Sequence, residues 1–115
     1  AQRANCIFRP QEFVYWQLRW GMAIDFEWDP LKSRQNDKKH GETFREGMTA
    51  FADRFSYTIS DPEHFMGEYR FLLLGRSSSG SLLVISHTER GDRIRIISVL
   101  RATKQEREQY TQGQP

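Results

Sequence analysis

Residues 87–108 read HTERGDRIRIISVLRATKQERE, and this stretch decides the predicted fold. It begins as a strand, passes through the tight turn ERGDR and continues as a second strand, a pattern typical of a β-hairpin. Thr103 and Glu106 then form a capping-box pair that opens a short C-terminal helix to about Tyr110. The hairpin and its exit carry four arginines: Arg90, Arg93, Arg95 and Arg101. They belong either to a solvated sheet face or to a site aimed at an anion.

Alternation of apolar and polar residues predicts the remaining strands. AIDFEW (23–28), FSYTIS (55–60) and EYRFLLLG (68–75) are expected to be strands, and LLVISHTE (82–89) is the first strand of the hairpin. The last three strands of the chain would form an antiparallel meander. In a meander the first and third strands run parallel to each other, so their starting ends meet at one end of the sheet.

Two helices are predicted between the first and second of these strands. Asp29 as N-cap, Pro30 at the first helical position and Gly41 after the last turn bracket the first helix. Thr43 and Glu46 make a capping-box pair that begins the second. The core order is therefore βααββββα. We expect an α+β fold with a RelE-like, mostly antiparallel sheet packed with helices, the RelE-like part resting on the resemblance given below.

The first 21 residues differ from the rest of the chain, because an orderly strand–helix pattern begins only after Met22. We predict a domain over residues 22–115, and we interpret residues 1–21 as an N-terminal extension or a cloning remnant. Within that segment a helix would place the following residues on one face: Pro10, Phe13, Trp16 and Trp20. That face is expected to dock on the domain or on a neighbouring chain.

Composition bounds the class of protein. A chain of 115 residues with 28% charged side chains predicts one water-facing domain, and a net charge of +2 does not by itself indicate nucleic-acid binding. The single cysteine, Cys6, cannot form an internal disulfide and fits a reducing cytoplasm. The three histidines lack metal-site spacing, so we expect no metal and no cofactor. The sequence contains no run of about 18 apolar residues, so no membrane span is predicted.

Charged residues from three strands are predicted to meet at one end of the sheet. Alternation places these residues of the last strand on one face: Arg93, Arg95, Ile97 and Val99. It places these residues of EYRFLLLG on one face: Glu68, Arg70, Leu72 and Leu74. Each set begins charged and ends apolar. The predicted cluster is Glu68, Arg70, His87, Glu89, Arg90, Arg93 and Arg95.

Such a cluster suits a phosphate, because the planar guanidinium group matches phosphate oxygens and keeps its charge. RNA supplies its own nucleophile, the 2′-hydroxyl, and arginines can offset the charge of the phosphorane without a metal. A carboxylate and an imidazole could transfer the protons. The same pattern also fits ordinary cross-strand ion pairs on a sheet surface.

From Met22 onward the chain resembles the BrnT toxins of bacterial type II toxin–antitoxin systems. The matching segments are FEWDPLK (26–32), Asn36 with KHG (39–41), Phe44, Asp61-Pro62, EYRF (68–71) with Gly75, Gly80 with Leu82-Leu83, HTERGDRIRIIS (87–98) and RATKQERE (101–108) with Tyr110. The resemblance implies a RelE-like fold and a ribonuclease that inhibits translation. It also implies a BrnA-like antitoxin partner, and binding to operator DNA only through that antitoxin.

The cluster and the resemblance together give candidate site residues. We expect catalytic roles for Glu68, Arg70, His87, Glu89, Arg90 and Arg95. Glu68 is the candidate base and His87 the candidate acid. We expect RNA binding by Lys39, His40, Arg93, Arg101 and Lys104.

One position departs from the family pattern S-A-R-x-A-T. Leu100 stands where the family carries arginine, and Arg101 follows it on the other side of the strand. A non-catalytic module that binds RNA or protein, or a degenerate toxin, is therefore the alternative to a ribonuclease.

Overall fold

The computed structural model describes residues 14–17, 23–64 and 67–113. The strands in these ranges are β1 (Val14–Gln17), β2 (Ala23–Glu27), β3 (Tyr57–Ser60), β4 (Arg70–Arg76), β5 (Leu82–Arg90) and β6 (Arg93–Arg101). The helices are α1 (Pro30–His40), α2 (Phe44–Thr49) and α3 (Lys104–Gln112), with short 3₁₀ turns at Ala50–Ala52 and Pro62–His64.

The six described strands form one sheet in the order β1-β2-β6-β5-β4-β3. Strands β2 and β6 run parallel, and every other neighbouring pair is antiparallel. The predicted meander of β4, β5 and β6 is confirmed. From β2 onward the described elements follow the predicted sequence of strand, two helices, four strands and helix, and the α+β class is confirmed.

The predicted helix near the N-terminus is wrong where the structure describes it. Val14–Gln17 is a strand that pairs antiparallel with β2, and Trp16 lies opposite Ile24. The backbone edge of β2 that faces away from β6 offers hydrogen-bonding groups, and pairing with them outweighs the weak helical pattern of this segment. Pro10, Phe13 and Trp20 lie outside the described residues, and the domain boundary at Met22 stays a prediction.

Local capping explains where α1 begins and ends. The Asp29 carboxylate accepts a hydrogen bond from the Leu31 N–H at 2.9 Å, Pro30 takes the first position, and Gly41 closes the helix with a φ of 74°. In α2 the Thr43 hydroxyl accepts from the Glu46 N–H at 3.0 Å, whereas the Glu46 carboxylate accepts from the Ser79 hydroxyl on the β4–β5 turn. The capping pair at α2 therefore also ties the helix to the sheet.

One face of the sheet, called the helix face here, packs against α2 and the turn that follows it. The buried apolar side chains of this cluster are Phe26, Trp28, Phe44, Met48, Ala50, Leu73, Leu83, Ile85, Ile96 and Val99. A Cβ at Gly47 would lie 2.5 Å from Val99 Cγ2, so glycine allows α2 to approach β6 this closely.

A β-bulge in β6 corrects the predicted phase of that strand. Ser98 pairs with Ser86, but Ile96 pairs with His87, so Ile97 is the extra residue. Ile96 and Val99 both lie in the core of the helix face. The prediction that Arg93 and Arg95 share a face with Val99 is therefore wrong, because the extra residue reverses the alternation between the two halves of the strand.

The opposite face carries Arg70, Arg93 and Arg95, and we call it the arginine face. Its far end is covered by α3, where Tyr110 packs with Leu74, Leu82 and Ala102. The Tyr110 hydroxyl donates to the Asp53 carboxylate at 2.6 Å and anchors the helix. The predicted capping box of α3, formed by Thr103 and Glu106, is present in both directions. The arginine face is thus covered by α3 at the end remote from the β5–β6 hairpin turn.

Candidate active site at the hairpin end of the sheet

Four strands contribute to one polar row across the arginine face. Arg70 of β4 lies opposite Thr88 of β5, Thr88 lies opposite Arg95 of β6, and Arg95 lies beside Glu27 of β2. Thr88 is 1% exposed and Glu27 is 4% exposed, so the row is shielded from solvent along much of its length. Register alone brings these four residues together, and we call them the cross-strand row.

Glu27 is the anionic end of the cross-strand row. Arg95 Nη1 donates to Glu27 Oε2 at 3.1 Å, and Arg93 Nη1 lies 3.7 Å from Glu27 Oε1. The Arg95 side chain is 14% exposed, whereas that of Arg93 is 40% exposed. Burial of the inner pair lowers the local dielectric, so its attraction is stronger than that of a surface pair and orients the Arg95 guanidinium.

Arg70 is the cationic end of the same row. Its Nε atom is buried and makes no hydrogen bond within the described residues. A buried donor without an acceptor costs roughly 1–3 kcal/mol, and native folds rarely leave one unexplained. Arg70 as a residue is only partly buried, so its guanidinium group remains open to an anion from solvent.

A second group of charged side chains lies outside the row and is reached by solvent. Arg90 Nη2 is 3.4 Å from Glu68 Oε1, and these side chains are 44% and 35% exposed. Arg90 lies opposite Arg93 across the hairpin. We call Glu68, Arg90 and Arg93 the outer cluster. Five of the seven residues predicted to meet are therefore in one region: Glu68, Arg70, Arg90, Arg93 and Arg95.

His87 lies at the hairpin end of the sheet, but its side chain is on the helix face and not on the arginine face. It is 3% exposed, and its ring contacts Phe51 and Phe71 with centroid distances of 5.0 and 5.8 Å. Burial lowers the pKa of His87, and the Ile85 carbonyl and the Glu89 carboxylate offset part of that effect. The structure does not bring His87 to the arginines, because odd and even positions of β5 point to opposite faces. By the same alternation Glu89, which pairs with Ile94, is on the side of His87.

The residues predicted to bind RNA occupy several separate places. Lys39 and His40 lie on α1 beside a groove of about 310 Å³ that Ile97 also lines. Arg101 Nε donates to the Glu42 carboxylate at 2.6 Å next to the end of α1. Lys104 is the first residue of α3. Among these predicted residues, only Arg93 lies in the outer cluster.

Leu100 occupies the arginine face, opposite Val84. It is 38% exposed. The neighbouring Arg101 lies on the helix face, where it bonds to the Glu42 carboxylate. The departure noted in the sequence therefore places an apolar side chain on the same face as the arginines.

Sequence reasoning missed Glu27 and Thr88 as members of the site. Glu27 could not be found because the parallel pairing of β2 with β6 joins residues about 68 positions apart. Thr88 is marked only by its cross-strand register, which places it between Arg70 and Arg95. Its hydroxyl donates to the Tyr69 carbonyl at 2.7 Å and fixes the chain before β4.

Comparison with protein families decides the class. Residues 28–106 match the model of the family described as ribonuclease toxin, BrnT, of type II toxin-antitoxin system. The chain belongs to this family. The match begins one residue after Glu27 and includes the rest of the cross-strand row and all of the outer cluster. No match was found among curated proteins.

Within residues 14–17, 23–64 and 67–113, no three or more histidine, cysteine, aspartate or glutamate side chains are grouped as metal ligands would be. None of the helices in the described part of the chain is long and apolar enough to cross a membrane.

Proposed function

We propose that this protein is an endoribonuclease toxin that cleaves RNA at the hairpin end of its arginine face, without a metal. The observation that carries the proposal is the cross-strand row, in which Arg70 and Arg95 lie on either side of Thr88 and Glu27 holds the Arg95 guanidinium. Membership of the BrnT family supports a ribonuclease, and the row supplies the phosphate chemistry.

The outer cluster is the part that first meets the RNA. Arg90 and Arg93 attract the phosphate backbone, and the scissile phosphate is bound between them and Arg70. Glu68 removes the proton of the 2′-hydroxyl, whose oxygen attacks the phosphorus. The arginines stabilise the negative charge of the phosphorane, and the 5′-oxygen leaves as it takes a proton from water. The products carry a 2′,3′-cyclic phosphate and a 5′-hydroxyl.

His87 has no contact with substrate in this mechanism. Its ring is enclosed by Phe51 and Phe71, and burial favours its neutral form. We propose that it packs the turn after α2 against the sheet. The roles predicted for His87 as acid and for Glu89 as a catalytic residue are therefore not part of the proposal.

The test is cleavage of RNA in EDTA, followed by analysis of the ends of the fragments. We expect Arg70→Gln to lower kcat/KM by about 10²–10³-fold, as removal of one transition-state donor does. Glu68→Gln should lower kcat by about 10²–10⁴-fold. Arg45→Gln on the exposed side of α2 removes the same charge far from the row and should leave the rate unchanged. Cleavage that requires a metal, or fragments with 5′-phosphate ends, would contradict the mechanism.

The remaining expectations belong to the same proposal. The fold is RelE-like, the protein acts in the cytoplasm and inhibits translation, and a BrnA-like antitoxin neutralises it. That antitoxin masks the outer cluster and provides the contact to operator DNA. Co-expression of the toxin with a candidate antitoxin should restore growth, and RNA should compete with that antitoxin for the purified toxin.

Leu100 favours a second candidate function. An exposed leucine lies where the family carries arginine, which removes one cation from the face that binds the phosphate. A non-catalytic module would bind RNA or protein through the remaining arginines but would not turn over. Binding of RNA without any cleavage, together with gain of cleavage in Leu100→Arg, would favour this candidate over the first.

A further inference from the structure

A groove lies between α1 and β6, directly beyond the anionic end of the cross-strand row. Its volume is about 310 Å³, and Ile97 lines it from β6 while Lys32 and Lys39 line it from α1. The two lysines are seven positions apart, which is two helical turns, so they lie along the same side of the helix. We call this cavity the α1 groove.

The topology makes the α1 groove a continuation of the row. Glu27 is the last residue of β2 and lies beside Arg95, and β2 runs parallel to β6. Past this pair, the chain that leaves β2 forms α1 from Pro30, while β6 continues to Ile97 and beyond. Both walls of the groove therefore start from the pair that ends the row. At a rise of about 3.3 Å per residue, the Cα atom of Ile97 is about 7 Å along β6 from that of Arg95.

The positive charges of the α1 groove are not neutralised within the described part of the chain. Arg95 is paired with Glu27, but Lys32 and Lys39 form no ion pair with a carboxylate of residues 14–17, 23–64 and 67–113. No aspartate or glutamate is among the described residues that line the groove. Two exposed cations therefore face a cavity in which an anion from outside would be their partner.

Helix stability explains Lys39 but not Lys32. Lys39 is in the last turn of α1, where the partial negative charge of the helix end favours a cation. Lys32 is in the first turn, residues 30–33, which contains no acidic residue. The positive end of the same dipole disfavours a lysine there, and a bound anion would offset this cost.

We propose that the α1 groove binds a further phosphate group of the RNA strand that is cleaved at the candidate active site. The inference rests on the proposed function for the scissile phosphate, and it adds a binding site on one side of that phosphate only. Lysine contacts a phosphate as a point charge and carries no information about the base, so this site holds the strand without reading its sequence. The substrate therefore extends past the cleaved bond on the side of α1.

The first experiment measures how the affinity for RNA depends on salt. Single-stranded 2′-O-methyl RNA lacks the nucleophile and is not cleaved, so a fluorescent strand reports binding at equilibrium. Each lost phosphate contact should reduce the slope of log K against log salt by about 0.7, so Lys32→Gln/Lys39→Gln should reduce it by about 1.4. The double variant should therefore bind about 25-fold more weakly than the parent at about 0.1 M salt and approach it near 1 M.

The matched control is Lys38→Gln/Arg45→Gln, which removes the same two charges from exposed positions outside the groove. It should keep the slope of the parent protein. Lys32→Arg/Lys39→Arg keeps both charges in the groove and should bind within about two-fold of the parent. Thermal unfolding checks that each variant is folded.

A length series tests the position of the groove. It starts from a 2′-O-methyl dinucleotide, whose one phosphate can occupy only the candidate active site, and adds nucleotides at either the 5′ or the 3′ end. The difference in affinity between the parent and Lys32→Gln/Lys39→Gln should appear on extension at one end only, because the groove lies on one side of the site. An equal difference on extension at both ends, or none with a long strand, would overturn the inference.

The outcomes separate the groove from the proposed function. If the double variant binds a long strand like the parent while the parent cleaves unmodified RNA, only the groove is lost and the proposed function stands. Failure of the parent to bind or cleave RNA would remove both. Loss of antitoxin binding in the double variant with RNA affinity unchanged would assign the groove to a protein partner and would also overturn the inference.

Discussion

Asn36 is predicted to be the polar side chain whose loss most destabilises the sheet that carries the candidate site. It is 8% exposed in the middle of α1 and bonds to the backbone of β6 and of the loop after α1. Its Nδ2 donates to the Val99 carbonyl and to the Glu42 carbonyl, both at 2.8 Å. Its Oδ1 accepts from the Val99 N–H at 3.1 Å. The Asn36 side chain thus bonds to both backbone groups of Val99, as a neighbouring strand would. It does so past residue 95, where the pairing of β6 with β2 ends.

The magnitude follows from these three hydrogen bonds. Each contributes about 1 kcal/mol net, and Asn36→Ala also leaves the Val99 N–H and two carbonyl groups without partners in a buried region. We expect a loss of about 3 kcal/mol in the free energy of unfolding, which is a large part of the 5–15 kcal/mol typical of a domain. For a chain of this size that corresponds to a fall in Tm of about 12 °C.

Urea and thermal unfolding followed by circular dichroism measure this loss. Gln35→Ala is the matched control, because the neighbouring Gln35 is exposed on the same helix and should change the stability by less than about 0.5 kcal/mol. Asn36→Asp should be at least as destabilising as Asn36→Ala at neutral pH, because a carboxylate oxygen would face two carbonyl oxygens. A loss below 1 kcal/mol in Asn36→Ala would refute this account of how β6 is held.

Three further predictions follow from the site and its support. Below a pH of about 6.5, His87 is protonated in the unfolded state but stays neutral in the folded protein, so the free energy of unfolding falls as the pH is lowered. His87→Gln should reduce this pH dependence of stability, measured by urea unfolding at pH 7 and pH 5.5. The rate of RNA cleavage by His87→Gln at neutral pH should match that of the parent protein. A fall in this rate of more than ten-fold in a folded variant would show that His87 takes part in catalysis. Glu27→Gln should weaken the contact that orients Arg95, and it should lower kcat more than it changes KM. It should also lower the free energy of unfolding by about 1–2 kcal/mol. An unchanged kcat would contradict the orienting role. Gly47→Ala should cost about 1–3 kcal/mol, because its Cβ would press on Val99, and a neutral result in thermal melts would mean that α2 can shift outward.

The elements with local causes could be predicted from the sequence. Asp29, Gly41 and Thr103 fix helix ends through hydrogen bonds and φ values that involve residues only a few positions away. The β5–β6 turn is likewise set by its own residues, and the meander follows from it. The convergence of Glu68, Arg70 and Arg90 at one end of the sheet was also predictable, because strand direction decides which ends meet.

The faces of the site were decided only by the tertiary structure. The bulge at Ile97 reverses the phase of β6, and alternation in the sequence cannot reveal an extra residue that pairs with nothing on β5. The partner of Arg95 is Glu27, which reaches it through a parallel pairing with no local signal. The sequence by itself therefore determined that the charged residues of β4, β5 and β6 gather at the hairpin end. Long-range register determined which of them share a surface, because side-chain direction in a sheet depends on pairing between distant strands.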